Sequence, residues 1–258
     1  GALGAGLGYV TLAVAPQVAP TSFGTVLAVR TFQGAATVGA FSLAITMLMD
    51  LPGGHGRNMG AAGIAIGLGT ASGAPVGGQL TGVHPLAPLW VAAGTLLLAA
   101  LLATQVRDRA VRSDRRGVVA AIAGIRERPI LGLPYALGFI DRLTAGFFAL
   151  VGTVFFQEAF PVGPAGTGLL LAAFFAPFAL LQYPFGALSD RVGRVTPIAV
   201  GSLAYGFAVM AVLFTPPSVP LAALAMVLVG VFGATMAPAT MALVTDLADP
   251  GQRGAAMG

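Results

Sequence analysis

The sequence predicts an all-helical, polytopic membrane protein, and its composition and the placement of its charges are the observations that predict it. Of the 258 residues, 57% are hydrophobic and only 9% are charged, and the mean hydropathy is +0.89. A soluble domain holds roughly 25% charged residues, and one soluble globule of this size cannot bury so large an apolar surplus. The composition therefore excludes an ordinary cytosolic enzyme, a disordered chain and a secreted disulfide scaffold.

The residue types that are missing exclude several kinds of chemistry. The sequence has no Cys and no Lys, since all 13 basic residues are Arg, and its two His fall in predicted loops. Without Cys there is no disulfide framework or thiolate site. Without Lys there is neither a phosphate-binding P-loop lysine nor a Schiff base. We therefore expect no metal site, no cofactor and no enzyme active site.

Apolar stretches long enough to cross a bilayer, about 20 residues each, recur eight times. The segments between them are mostly short and turn-like, so consecutive helices are expected to be antiparallel neighbours. A ninth stretch starts at Gly254, and we expect the sequence to be a fragment of a longer membrane protein. The predicted spans are 1–16, 22–47, 58–80, 86–104, 131–157, 166–187, 196–215 and 219–244.

The Arg residues alternate from loop to loop, and this alternation predicts the topology. Eleven of the 13 Arg lie in four alternate loops, whereas the other loops hold none. Loops rich in positive charge stay on the cytoplasmic side. The net charge of +4 is then a topology signal, and no nucleic-acid partner is expected. The predicted cytoplasmic loops are 48–57, 105–130, 188–195 and 245–253.

An internal repeat relates two parts of the chain. A shift of 196 residues superimposes the loop that holds Asp50 and Arg57 on a second loop from the same predicted side. The second loop holds Asp246 and Arg253 at the matching positions. Repeats with a long cytoplasmic linker between them are typical of secondary transporters built from two halves.

The repeat predicts the domain organisation. Residues 1–104 are expected to be the last four spans of the first half. Residues 105–130 form an Arg-rich cytoplasmic linker, and residues 131–258 form the second half up to the start of its fifth span. An intact molecule with this organisation would have about twelve spans.

Three short motifs resemble elements of the major facilitator superfamily. The loop GALSDRVGR resembles that family's signature between the second and third spans of a half, with Val195 where the family often has a basic residue. RTFQG is similar to its Arg-x-x-Gln-Gly element. GTASGAPVGG is similar to the Gly/Pro motif of its drug antiporters, with Ala74 in the usual place of the Pro. The matching residues are Gly186, Asp190, Arg191, Gly193 and Arg194; Arg30, Gln33 and Gly34; and Gly69, Gly73, Pro75, Gly77 and Gly78.

The resemblance implies two pseudo-symmetric six-helix halves that alternate in access about a central site, with eight complete or nearly complete spans in this sequence. It implies proton-coupled efflux of a small, rather apolar molecule. The alternatives are a proton-coupled symporter or facilitator for a sugar or other small metabolite, and a non-transporting receptor or scaffold. The expected setting is a monomer in the lipid bilayer of a prokaryotic cytoplasmic (inner) membrane.

The resemblance also implies that the loop around Asp190 is a gating latch. Its carboxylate could sit at the N-terminus of a neighbouring helix, where the helix dipole favours an anion. Arg191 and Arg194 are expected to pair with the acidic ends of nearby spans, such as Asp246. The alternative is that these charges only keep a short loop in the cytoplasm.

Two sets of charged or polar residues fall inside predicted spans, where charge is costly and usually functional. Arg30 lies about eight residues into its span, roughly 12 Å deep, with Gln33 near the same face. Asp141 and Arg142 lie about ten residues into theirs, and desolvation would make Asp141 a candidate proton carrier. The alternatives are an Arg satisfied by backbone carbonyls and a compensating pair at the interface.

Small and aromatic residues complete the set of candidates. Gly63 and Gly67, and then Gly69, Gly73 and Gly77, follow the spacing that lets two membrane helices approach closely. The alternative to a functional role for this ladder is simple helix packing. Ten Phe between residues 139 and 185 could form an aromatic wall for a lipophilic substrate or could face lipid.

Overall fold

The computed structural model describes residues 2–18, 22–49, 55–105, 130 and 132–247. No strand occurs among these residues, and a helix covers every predicted span. The helices are α1 (Ala2–Val18), α2 (Phe23–Met49), α3 (His55–Val83), α4 (Ala87–Ala103), α5 (Gly132–Phe147), α6 (Thr153–Ala159), α7 (Pro164–Val192), α8 (Val195–Phe214) and α9 (Val219–Leu247).

Four helical segments of the described chain are long and apolar enough to cross a membrane. Helix α4 is also apolar but has only 17 residues. The prediction of an all-helical protein with several membrane-length helices is therefore confirmed. The four segments are Tyr135–Ala159, Pro164–Val192, Val195–Phe214 and Val219–Val244.

A π-helical turn, Phe148–Gly152, joins α5 to α6, so the three segments form one continuous span. Phe148 and Gly152 are both buried in this turn. Single π-helical turns inside α-helices are frequent at functional sites, because they locally shift the helix register. This turn begins seven residues after Asp141.

Several helices run further than the apolar stretches that predict them. Helix α7 continues to Val192, whereas the apolar stretch ends at residue 187, and α9 continues to Leu247. Charged residues end the apolar stretch but do not break a helix, so the chain stays helical beyond that stretch. The break after α7 comes at Gly193, whose φ of +85° is a conformation that side chains with a Cβ rarely adopt.

The chain divides into two compact units, one formed by residues 1–59 and 79–113, the other by residues 60–78 and 114–258. In the first unit, α1 packs against both α2 and α4. In the second unit, α9 packs along α7 and α8 and also contacts α5. The middle of α3 thus groups with the second unit although its sequence lies within the predicted first half. The division into halves at residues 104 and 131 stays a prediction.

Helix α8 shows how these helices bury one stripe and leave the rest apolar. Its buried residues recur every three or four positions and include Ile198, Tyr205 and Val212. Its outer face is equally apolar, since Leu203 is 65% and Phe207 is 70% exposed. A helix that is hydrophobic all round is suited to lipid.

The Phe-rich stretch contributes mainly to the core of the second unit. Phe148, Phe156, Phe174 and Phe178 are buried, and the rings of Phe148 and Phe174 lie 5.9 Å apart. These residues neither face lipid nor line an open wall. Phe139, by contrast, is 67% exposed and fits the expectation of a lipid-facing side chain.

Some predicted features lie outside the described residues. They are Asp50, Arg253, most of the Arg-rich linker and the ninth stretch at Gly254. At three further positions the helical backbone is described but the side chain is not: Arg57, Asp141 and Arg142.

Candidate functional site

Arg194 is the centre of a polar network that joins three helices of the second unit. It is the N-cap residue of α8, and its guanidinium donates to carboxylates on two other helices. Nε donates to Oδ2 of Asp246 in α9 at 3.0 Å, and Nη1 donates to Oδ1 of Asp190 in α7. Nη1 also donates to Oγ of Ser189 at 2.7 Å. One cation therefore joins the C-terminal ends of α7 and α9 to the N-terminal end of α8.

The network is partly shielded from water. The Arg194 side chain is only 22% exposed, whereas Asp190 and Asp246 are 64% and 54% exposed. Partial burial disfavours the charge on Arg194, but the hydrogen bonds to Asp246 and Asp190 outweigh that effect and raise its pKa above the usual range. Ser189 is buried and donates to the Gly186 carbonyl oxygen at 2.9 Å, which leaves its oxygen free to accept from Arg194.

The structure places the predicted gating residues differently from the sequence expectation in two respects. Asp190 lies in the last turn of α7 and binds a side chain, and no described backbone N–H of a helix N-terminus donates to it. Arg191 is exposed and forms no ion pair with any described residue. The expected contact between Arg194 and Asp246 is present, but it ties together helices of one unit.

A second polar site lies in the first unit, between α1 and α2. The Nη1 of Arg30 donates to Oε1 of Gln33 at 3.0 Å, and the guanidinium carbon lies 5.7 Å from the centre of the Tyr9 ring. Arg30 is seven residues from the start of α2, or about 10 Å along the helix. Its two neighbours are an amide oxygen and an aromatic face, so neither neutralises its charge.

Gln33 is held firmly in this site. Only 4% of the residue is exposed. A Cβ placed on Gly8 of α1 would lie 3.1 Å from the Cβ of Gln33. Its Nε2 is buried and has no hydrogen-bond partner among the described residues. A buried donor without an acceptor is rare in folded proteins and calls for an explanation. Gly34, the last residue of the motif, has open space around its Cα.

A third feature is the glycine seam, where the backbones of α3 and α7 touch at Gly67, Gly78 and Gly168 within the second unit. A Cβ on Gly67 would overlap the Cβ of Ala179 and lie 2.7 Å from its Cα. A Cβ on Gly168 would overlap the Ala74 carbonyl oxygen and lie 2.8 Å from the Cα of Pro75.

The same contact is made near the other end of α3, where a Cβ on Gly78 would overlap the Pro164 carbonyl oxygen. Small residues at such contacts let membrane helices pack backbone to backbone. Gly69, Gly73 and Gly77 lie elsewhere on α3, and a Cβ on any of them would meet nothing within 4 Å among the described residues.

Sequence reasoning missed the partners that come from other helices. Ser189 has no role in the motif that surrounds it, and Tyr9 belongs to none of the three motifs. Gly168 begins a series with Ala172 and Ala176 at a spacing of four, which the sequence predictions did not use, and Ala179 lies outside that series. Among the predicted small residues, the pair Gly63 and Gly67 gave the signal for the seam, because their spacing of four places both on one helix face.

The comparison with protein families covers the whole chain. The model of the Major Facilitator Superfamily matches residues 1–162 and again residues 135–258. The match agrees with the all-helical structure and the membrane-length helices of the described residues. It makes the protein an integral, multi-pass membrane protein that handles small-molecule substrates. The chain belongs to the Major Facilitator Superfamily of secondary transporters.

Proposed function

We propose that this transporter exports a small, rather apolar molecule in exchange for protons, as a monomer in a prokaryotic cytoplasmic membrane. The observation that carries the proposal is the Arg30–Gln33 pair, which lies about 10 Å into a helix that is otherwise apolar. A charge at that depth is costly and is retained where it works on a substrate or a proton.

The scarcity of other charges supports an apolar substrate. Among the side chains that the structure describes, the acidic ones are Glu158, Asp190 and Asp246, and all three lie at helix ends. Among the charged side chains that the structure describes, Arg30 alone lies well inside a helix; Asp141 and Arg142 lie inside α5, where only the backbone is described. A highly charged molecule would find too few partners to replace its hydration shell.

The glycine seam supports alternating access. Both ends of α3 group with residues of the first unit, while its middle lies against α7. In this proposal α3 belongs to the first half and α7 to the second half. Small residues let helix backbones pack closely, and the sliding of packed helices past one another is one of the known routes to domain closure. The Arg194 network then keeps the cytoplasmic ends of α7, α8 and α9 together, so that the second half moves as one body.

Asp141 is the proposed proton carrier, because an acidic residue inside a membrane span is costly and is retained where it works on a proton or a substrate. Asp141 lies in α5, seven residues before the π-helical turn. If that turn changed to regular α-helix, α5 would rotate relative to α6 and the residues around Asp141 would change. Arg30 is the proposed second member of the coupling, on the opposite half.

The test is a proton-flux measurement on the intact protein in lipid vesicles that are acidic inside and contain a pH-sensitive dye. The cytoplasmic face points outward, and lipophilic drugs, sugars and small acids are added one at a time. We expect an apolar compound to drive protons out and to alkalinise the lumen. Asp141→Asn and Arg30→Gln should reduce this signal at least tenfold. Arg191→Gln should not, because it removes an exposed cation that forms no ion pair with any described residue.

Each other outcome would point to another function. Proton entry together with the added solute would make the protein a symporter. Solute movement without any proton movement would make it a facilitator and would return Asp141 and Arg30 to structural roles. If no solute moves although the protein is folded, the receptor or scaffold alternative stands.

A further inference from the structure

Arg30 is a cation seven residues into α2 that contacts no acidic side chain among the described residues. Residues 1–104 contain a single acidic residue, Asp50. Asp50 lies outside the described residues and follows Met49, the last residue of α2, which is 19 helical residues or about 28 Å beyond Arg30. No acidic side chain of the described residues contacts Arg30, which has only the Gln33 amide oxygen and the Tyr9 ring.

These two neighbours orient the guanidinium but do not neutralise it. Gly8 of α1 packs close to the Cβ of Gln33, and the Oε1 of Gln33 accepts a hydrogen bond from Nη1 of Arg30. A guanidinium has five N–H donors in a planar fork, and this fork matches the two oxygens of a carboxylate. Most of the donors of Arg30 therefore stay available, on a side chain that is already oriented.

Gln33 adds a second donor that lacks an acceptor. Its Oε1 accepts from Arg30, and its buried Nε2 has no hydrogen-bond partner among the described residues. Arg30 and Gln33 together thus offer several donors and one positive charge, while the described residues supply no matching acceptor. An anion with a single negative charge could accept from the Arg30 guanidinium and from the Gln33 Nε2. A change of conformation that exposes the buried Nε2 would be needed for the second contact.

We propose that Arg30 and Gln33 bind the carboxylate of the transported molecule, which makes the substrate an apolar acid with one negative charge. Arg30 binds the anion, and Gln33 acts as a positioning residue. This inference rests on the proposed function, since it assumes that a small, rather apolar molecule is transported. An anionic lipid headgroup offers the same chemistry, and the experiment separates the two sources.

The transport arm compares three probes with the same apolar body, 4-phenylbutyrate, its primary amide and the corresponding amine. At neutral pH the intact protein in vesicles is expected to move the carboxylate at least tenfold faster than the amide. Arg30→Gln should remove that preference, chiefly through KM, and Arg30→Lys should keep part of it. Movement of the amide or amine in preference to the carboxylate would overturn the inference and leave export itself standing.

The stability arm needs no transport. Gln33→Glu places a carboxylate beside Arg30 at nearly unchanged volume, and Gln33→Leu removes the acceptor as a control. If Arg30 lacks a counter-ion, Gln33→Glu should raise the Tm of the purified intact protein and abolish its stabilisation by 4-phenylbutyrate. A lower Tm for Gln33→Glu, comparable to that of Gln33→Leu, would mean that another acid already pairs with Arg30 and would overturn the inference.

The lipid arm adds an anionic phospholipid or a zwitterionic phospholipid to the detergent-purified protein. Stabilisation by 4-phenylbutyrate that is lost in Arg30→Gln supports a substrate carboxylate. Stabilisation by the anionic phospholipid alone, with no response to 4-phenylbutyrate, would assign Arg30 to a lipid headgroup and contradict a substrate role.

Discussion

Gly67→Val is expected to abolish transport and to destabilise the packing of α3 on α7. A Cβ at this position already overlaps Ala179, and the nearest atoms include the Ala179 backbone, which cannot rotate away. The two helices must therefore separate, and overpacking of this kind costs about 1–3 kcal/mol. The measurements are the Tm of the purified intact protein and its transport rate in vesicles.

Gly69→Val is the matched control, because it makes the same chemical change two residues away on the same helix. A Cβ on Gly69 meets nothing within 4 Å among the described residues, so its stability should change by no more than about 0.5 kcal/mol. Gly67→Ala should give a smaller loss than Gly67→Val. Equal behaviour of the Val variants at positions 67 and 69 would show that α3 and α7 do not pack through this seam.

Arg194→Gln is expected to have the second largest effect, because it removes the cation that joins three helices. Hydrogen bonds to charged groups contribute about 1.5–3 kcal/mol each. Since Asp190 and Asp246 are 64% and 54% exposed, solvent screening reduces the expected total loss to about 1–2 kcal/mol. We expect a lower Tm and a severalfold lower transport rate. Arg194→Lys should restore only part of both, because one ammonium cannot reproduce the forked contacts.

Arg191→Gln is the control for this experiment, since Arg191 is exposed and unpaired among the described residues. It removes the same charge from the same loop and should leave the Tm nearly unchanged. If both variants lose stability equally, the loop would act through its total charge, and the network seen around Arg194 would carry no stability of its own.

The pKa of Arg194 also predicts how this difference depends on pH. Its folded-state pKa is raised, so its contribution is fully present below the ordinary Arg pKa and is lost only as the pH rises through the folded value. The stability difference between wild type and Arg194→Gln should therefore be constant from about pH 6 to about pH 9.

The sequence could predict the helices because membrane burial leaves little choice of structure. A span must be helical to satisfy its backbone groups in lipid, so a long apolar stretch such as 196–215 predicts Val195–Phe214 almost to the residue. Boundaries were less accurate where charges follow the apolar stretch, as at Asp190. There the hydropathy pattern ends but the backbone hydrogen bonding continues.

Side-chain contacts could be predicted from residue spacing only where the two residues lie close together in one helix. Arg30 and Gln33 are three residues apart on one helix, so their proximity follows from helix geometry. Tyr9 stacks on Arg30 from another helix, and Ala179 meets Gly67 across a long sequence separation. Such contacts depend on how whole helices pack, and no spacing within a single segment encodes that.

The central claim, that the protein is a carrier that alternates in access, is tested most directly by counterflow. The intact protein is placed in vesicles loaded with an unlabelled substrate found in the proton-flux screen, and a trace of the labelled substrate is added outside without any ion gradient. We predict a transient accumulation of label above equilibrium, which Gly67→Val abolishes and Gly69→Val preserves. Simple equilibration of the label, with no overshoot, would contradict alternating access.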